Sequence, residues 1–265
     1  MTSLVRAELQ RFFATRIWLI ALAAAVVCGF GLAGLVAVIG PENSQPPLPP
    51  LGTPEGVSVL LGLVQITLFV PATLGTFAVT SEYRHGTIGT TFLQVPQRGR
   101  VMAAKFLAHA IIGAAYGIVL ALGAGLAIVL GSALGPGTLG VPAADLVSSL
   151  VRLAAAAAIH TLIGVAIGAL VRNQVAGIAV TLGWFYLLEP VVMIIPGVNL
   201  VYGILPGGAA AALTRSTWLS QVIAEQTAGP TALVLAPWAG GLLLLGYAVA
   251  AAAVSVAVPL RRDLA

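Results

Sequence analysis

Ser81-Glu82-Tyr83-Arg84-His85-Gly86-Thr87-Ile88 is the segment of this chain best equipped for chemistry. An acid, a phenol, a guanidinium and an imidazole occupy four consecutive positions, and Pro96, Arg98, Arg100 and Lys105 follow. Such a set offers charge pairing and hydrogen bonding rather than covalent catalysis. Paired charges beside an apolar surface act as a handle when a partner desolvates them. Gly86 is suited to end a short helix, because glycine readily adopts the left-handed conformation there, and Thr87 is suited to cap the next turn.

The elements that must position this segment are apolar. The chain has 265 residues, 59% hydrophobic and 8% charged, with a mean hydropathy of +1.06. A soluble domain carries about 25% charged residues, so the class is an all-α integral membrane protein with several spans. The alternating short segments of a barrel are absent from the sequence. A span needs about 20 apolar residues, and six segments qualify: 17–40, 57–79, 106–130, 150–171, 174–189 and 233–258. The first is too long for the core of a removable signal and is read as a retained span.

Charge orients these spans. With the N-terminus in the cytoplasm, Arg6, Arg11, Arg16, Arg84, Arg98, Arg100, Lys105, Arg172, Arg261 and Arg262 fall inside, ten of the twelve basic residues. Only Arg152 and Arg215 fall outside, and the acids lean outward through Glu42, Glu55, Asp145, Glu189 and Glu225. This is the bias expected of a multi-pass protein of the cell membrane with both termini cytoplasmic. Residues 1–16 place Leu4, Val5, Leu9, Phe12 and Phe13 on one helical face, opposite Arg6, Gln10 and Arg11, which predicts an amphipathic helix in the inner interface. The loop 80–105 is then cytoplasmic, and the proline-rich 41–56 is an outer spacer. A rival seventh span over 191–213 is interrupted by Pro196, Pro206 and several glycines. The region 190–232 is read instead as short re-entrant outer helices before the last span. One transmembrane domain covers 1–265.

Several chemistries lack their residues. The one lysine, Lys105, is not preceded by a glycine-rich phosphate cradle, so any ATP and magnesium are bound by another chain. His85, His109 and His160 are scattered and Cys28 is remote, which gives no metal cluster. No serine nucleophile motif stands out. The expectation is a protein without catalysis, cofactor or nucleic-acid partner of its own.

The segment 81–88, with Pro96, Arg98, Arg100, Val101 and Lys105, resembles the first cytoplasmic loop of ABC-2 type exporter permeases. The resemblance implies a six-span permease that forms half of a transmembrane pathway, pairs with a second permease and binds a separate cytoplasmic ATPase. It also implies that the loop carries a coupling helix, with Glu82, Tyr83, Arg84, His85, Gly86, Thr87 and Ile88 at the ATPase contact. Glu82 and Arg84 are the charged contacts in that picture.

Polar groups inside spans are functional candidates by default. Gln65, Thr67, His160, Trp184 and Glu189 qualify as a pathway or gate. Glu189 lies about 25 Å from Arg172 along a regular helix, near the outer boundary, as a gate or as an anchor for the re-entrant turn. Two alternatives remain open at this stage: an ion-driven secondary drug transporter and a non-transporting membrane anchor. The orientation is checked with Cys28 replaced. A cysteine at Ser44 is expected to react with an impermeant thiol reagent from outside, and one at Gln97 to stay unlabelled; the opposite pattern inverts the topology.

Overall fold

The computed structural model describes residues 1–45, 47–135, 138–216, 218–227 and 233–257. Arg261 and Arg262 of the charge census lie outside them, as do Pro46 and parts of the 190–232 region. Ten helices carry the fold among the described residues: α1 (Thr2–Ala14), α2 (Ile17–Ile39), α3 (Pro54–Arg84), α4 (Thr87–Gln94), α5 (Arg98–Leu134), α6 (Ala143–Val171), α7 (Gln174–Ile194), α8 (Pro206–Thr214), α9 (Trp218–Thr227) and α10 (Pro237–Ala257). Six of them, α2, α3, α5, α6, α7 and α10, are long and apolar enough to cross a membrane. The 191–213 stretch contains only the end of α7, a 3-10 segment (Val198–Ile204) and α8, each too short to span.

Where the sequence is nearly uniform in hydropathy, small residues fix the arrangement. Helix α6 lies between α3 and α5 and approaches both closely. A Cβ on Gly164 would fall on the Ala72 carbonyl of α3, and one on Gly75 would fall on the Thr161 carbonyl of α6. On the other side, Gly117 meets the Ala154 backbone and Gly113 meets Thr161. The paired glycines 113/117 and 164/168 of the sequence therefore serve contacts within one chain. Thr76 secures the first seam by donating to the Gly164 carbonyl at 3.0 Å and sharing a hydrogen bond of 2.9 Å with Thr181 of α7. Leu60, Leu120, Leu153 and Leu244 fill the core. Val27, Leu35 and Val38 of α2, Leu122 of α5 and Val249 of α10 point outward, an apolar exterior suited to hydrocarbon.

The helices exceed the lengths read from the sequence at both sides of the charged loop. Span two runs on to Arg84 rather than ending at Val79, and span three starts at Arg98 rather than Phe106. The reason is ion pairing: Glu82 and Lys105 neutralise each other inside the bundle end, so neither has to leave the helix. Consequently residues 81–84 belong to a long span, and the separate short helix, α4, follows Gly86 instead of preceding it. Gly86 sits at φ +67°, the left-handed position expected of it. Thr87 is the first residue of α4 and not its cap; its hydroxyl lies 3.5 Å from the Glu82 carbonyl. Span five continues through Pro190 to Ile194 because Gly183–Leu188 forms a π-helical turn just before the proline. That wider turn relieves the clash a proline ring makes with an ordinary helix. The last helix starts at Pro237, four residues late, with proline at a first-turn position it tolerates.

Gly164→Val is expected to force α3 and α6 apart and to lower stability by about 1–3 kcal/mol, read as a drop in melting temperature in detergent. Gly246→Ala, on α10 with nothing within 4 Å of the added atom, is expected to leave it unchanged or higher.

Candidate functional site

The charged end of the bundle is organised by one ammonium group. Lys105 is fully buried, one turn before His109 on α5, and its Nζ donates to Glu8 at 2.9 Å and also to Glu82. Arg11 of α1 closes the set, reaching Glu82 at 3.1 Å and Glu8 at 3.3 Å, and its other nitrogen donates to Thr91 of α4 at 3.1 Å. Two acids and two bases from three helices thus neutralise one another and tie α1, α3, α4 and α5 together. The two resembled charged contacts diverge here. Glu82 turns inward and is buried, whereas Arg84 stays exposed and donates to Gln174 at 3.0 Å. Tyr83 is half-buried, with the Arg172 guanidinium 6.0 Å from its ring centre.

Helix α4 is amphipathic over two turns. Ile88 and Phe92, four residues apart, pack against Val79, Val101, Met102 and Val165, and Arg98 lies over the Phe92 ring at 5.4 Å. The opposite side exposes Thr87, Thr90 and Leu93, next to the exposed Arg84, His85 and Gly86 where α3 ends. Leu93 is 83% exposed, a single large apolar knob among polar groups. The surface thus offers polar groups and one apolar side chain to solvent.

A cavity of about 140 Å³ opens between α3, α6, α7 and α8. Gln65, His160 and Glu189, singled out separately in three spans, all line it, together with Phe69, Phe185 and Tyr186. Glu189 is buried within α7 rather than ending the span. Its Oε1 accepts from Trp184 Nε1 at 2.8 Å and from the Gly207 N–H at 3.1 Å, the latter in the first turn of α8. His160 has Nδ1 2.8 Å from the Ala156 carbonyl; a carbonyl only accepts, so Nδ1 carries the proton and Nε2 is left as an acceptor. Gln65 accepts from Thr214 at 2.6 Å. Thr67 lies off the cavity, its hydroxyl given to the Val64 carbonyl at 2.7 Å.

Glu8 was not singled out by sequence reasoning, and Lys105 was read as a loop charge. The available signal was a lone lysine directly before an apolar run, a pattern shared with an ordinary cytoplasmic span end. Lys105→Met is expected to leave two buried carboxylates with one partner and to lower stability by about 3–5 kcal/mol. Adding Glu8→Gln restores neutrality and should recover much of that loss in the same melting assay.

Comparison with curated proteins returned no match. A family model described as ABC-2 family transporter protein matches residues 4–189, a stretch that includes most of α1, the charged cluster, α4, and Gln65, His160 and Glu189 of the cavity. The match covers well over half of the chain, which therefore belongs to the ABC-2 family of membrane transport proteins.

Proposed function

We propose that this chain is the membrane subunit of an ATP-driven exporter. It supplies half of the transmembrane pathway, pairs with a second permease, the same or a related chain, and draws energy from a separate cytoplasmic ATPase that binds ATP and magnesium. The charged end and both termini face the cytoplasm in this reading, and the short helices between Pro206 and Thr227 lie at the outer side. The observation that carries it is α4, an amphipathic helix outside the spans whose buried side is locked to three of them and whose free side presents Thr90 and Leu93 beside the exposed Arg84 and His85 at the end of α3. A push on that free side reaches α5 and α6 through Ile88 and Phe92, and reaches α1 through Arg11. Glu82 contributes by holding Lys105, so it is a positioning residue and the ATPase contact falls to its exposed neighbours.

An ion-driven carrier is the second reading, favoured by Glu189 and His160 sharing one cavity; it predicts transport with no ATPase at all. The two are separated by affinity purification of the tagged chain after cross-linking in the membrane, with mass spectrometry of what is retained. A nucleotide-binding subunit is expected with the native chain and at least fivefold less with Arg84→Ala/Leu93→Ala, whose melting temperature stays the same. Glu82→Ala is expected to lower both. Transport that proceeds with no ATPase retained decides for the carrier.

A further inference from the structure

From the cavity we infer a substrate class: the site receives the protonated amine of an amphiphilic organic cation. The inference rests on the transport reading above and specifies what enters. Three observations converge on it.

The first is an acid with no cation. Glu189 is 4% exposed, and among the described residues no lysine or arginine pairs with it; the ion pairs found there all belong to the Lys105 cluster. Both of its hydrogen-bond donors reach Oε1. A carboxylate so placed is stabilised when a cation arrives. The second is a set of rings. Phe69 and Tyr186 meet at 4.6 Å with their rings tilted by 60°, and Phe185 lies 5.2 Å from the His160 ring. Aromatic faces attract ammonium groups, more strongly when water is excluded. The π-helical turn Gly183–Leu188 widens α7 where it carries Trp184, Phe185 and Tyr186, and such turns mark functional positions in many helices. The third is the polarity of the wall. Among the described residues Glu189 is the one acidic side chain that lines the space and no lysine or arginine does; His160 Nε2 adds an acceptor, and Gln65, Tyr186, Tyr202, Ser216 and Ser220 are neutral. The one formal charge available on this wall is negative, so it favours a positively charged N–H donor over an anion.

The volume sets the size of what fits. A cavity of about 140 Å³ is close to the roughly 150 Å³ that admits a single benzene ring. It therefore holds the head of a cargo and not the whole of a large one. Ile66 and Tyr186, both exposed, stand at its rim, so an apolar tail leaves along the outer face of α3 and α7.

The test uses the full chain in phosphatidylcholine nanodiscs, without any ATPase, and equilibrium dialysis of 2-phenylethylamine against its neutral isostere 2-phenylethanol, with empty nanodiscs subtracted. The amine is expected to bind at least tenfold more tightly than the alcohol. Glu189→Gln keeps an acceptor for Trp184 and Gly207 but no charge, and should bring the two within about threefold. Tyr186→Leu, on the rim, keeps the charge, removes a ring and should weaken the amine alone. Equal affinities, no binding of either probe, or a preference that survives Glu189→Gln overturns the site. Because the readout needs no nucleotide, it stands or falls separately from ATPase association.

Discussion

A buried ammonium has to be neutralised where it stands, and the charged end of this bundle is built around that requirement. Lys105 has no route to solvent, so Glu8 and Glu82 are held beside it, and Arg11 balances the second acid. Pairing two charges from α1 with one from each of two spans converts a local electrostatic demand into a constraint on four helices. The geometry of α4 follows, because its hydrogen bond to Arg11 and its apolar contacts with α5 and α6 start from positions the cluster fixes. Breaking such a pair on one side leaves an uncompensated charge, which is why single removals are far more damaging than paired ones.

Deeper in the bundle the organising force changes. Lipid chains are as apolar as leucine, so burial does not drive spans together; close backbone approach and a few hydrogen bonds do. The glycines of α6 and the threonines of α3 and α7 supply both. The result is a tight α3–α6–α5 core with α2, α7 and α10 around it and a cavity beside α7, whose π-helical turn holds two aromatic rings against α3 and α6 just before Glu189.

The number of spans was legible in the apolar runs and in the prolines and glycines that break the 191–213 stretch, and the family was legible in the residues from Ser81 to Lys105. Helix ends near charges were not. Composition marks Glu82 and Lys105 as loop residues, and only the fold reveals that each has a partner inside. Likewise Gln65, His160 and Glu189 stood out one at a time as polar groups in apolar runs, but their meeting depends on the rotation of three helices, which no local pattern encodes. Thr67 carried the same signal and spends its hydroxyl within its own helix. The π-helical turn had no sequence signature beyond Pro190, which argued for an end rather than for a widened continuation.

The order of the cluster along the chain has a consequence for biogenesis. Synthesis is vectorial, so Glu8 and Glu82 leave the ribosome before Lys105, which follows them by 97 and 23 residues. At about 5–20 residues per second the first acid waits roughly 5–20 s for its counter-ion. Until then α1 and the first two spans hold the cluster's two acids with only Arg11 to share. The nascent hairpin cannot dock in its final form before the third span arrives. The lysine thus acts as a late latch, and an intermediate lacking it is marked by unpaired charge at the membrane surface.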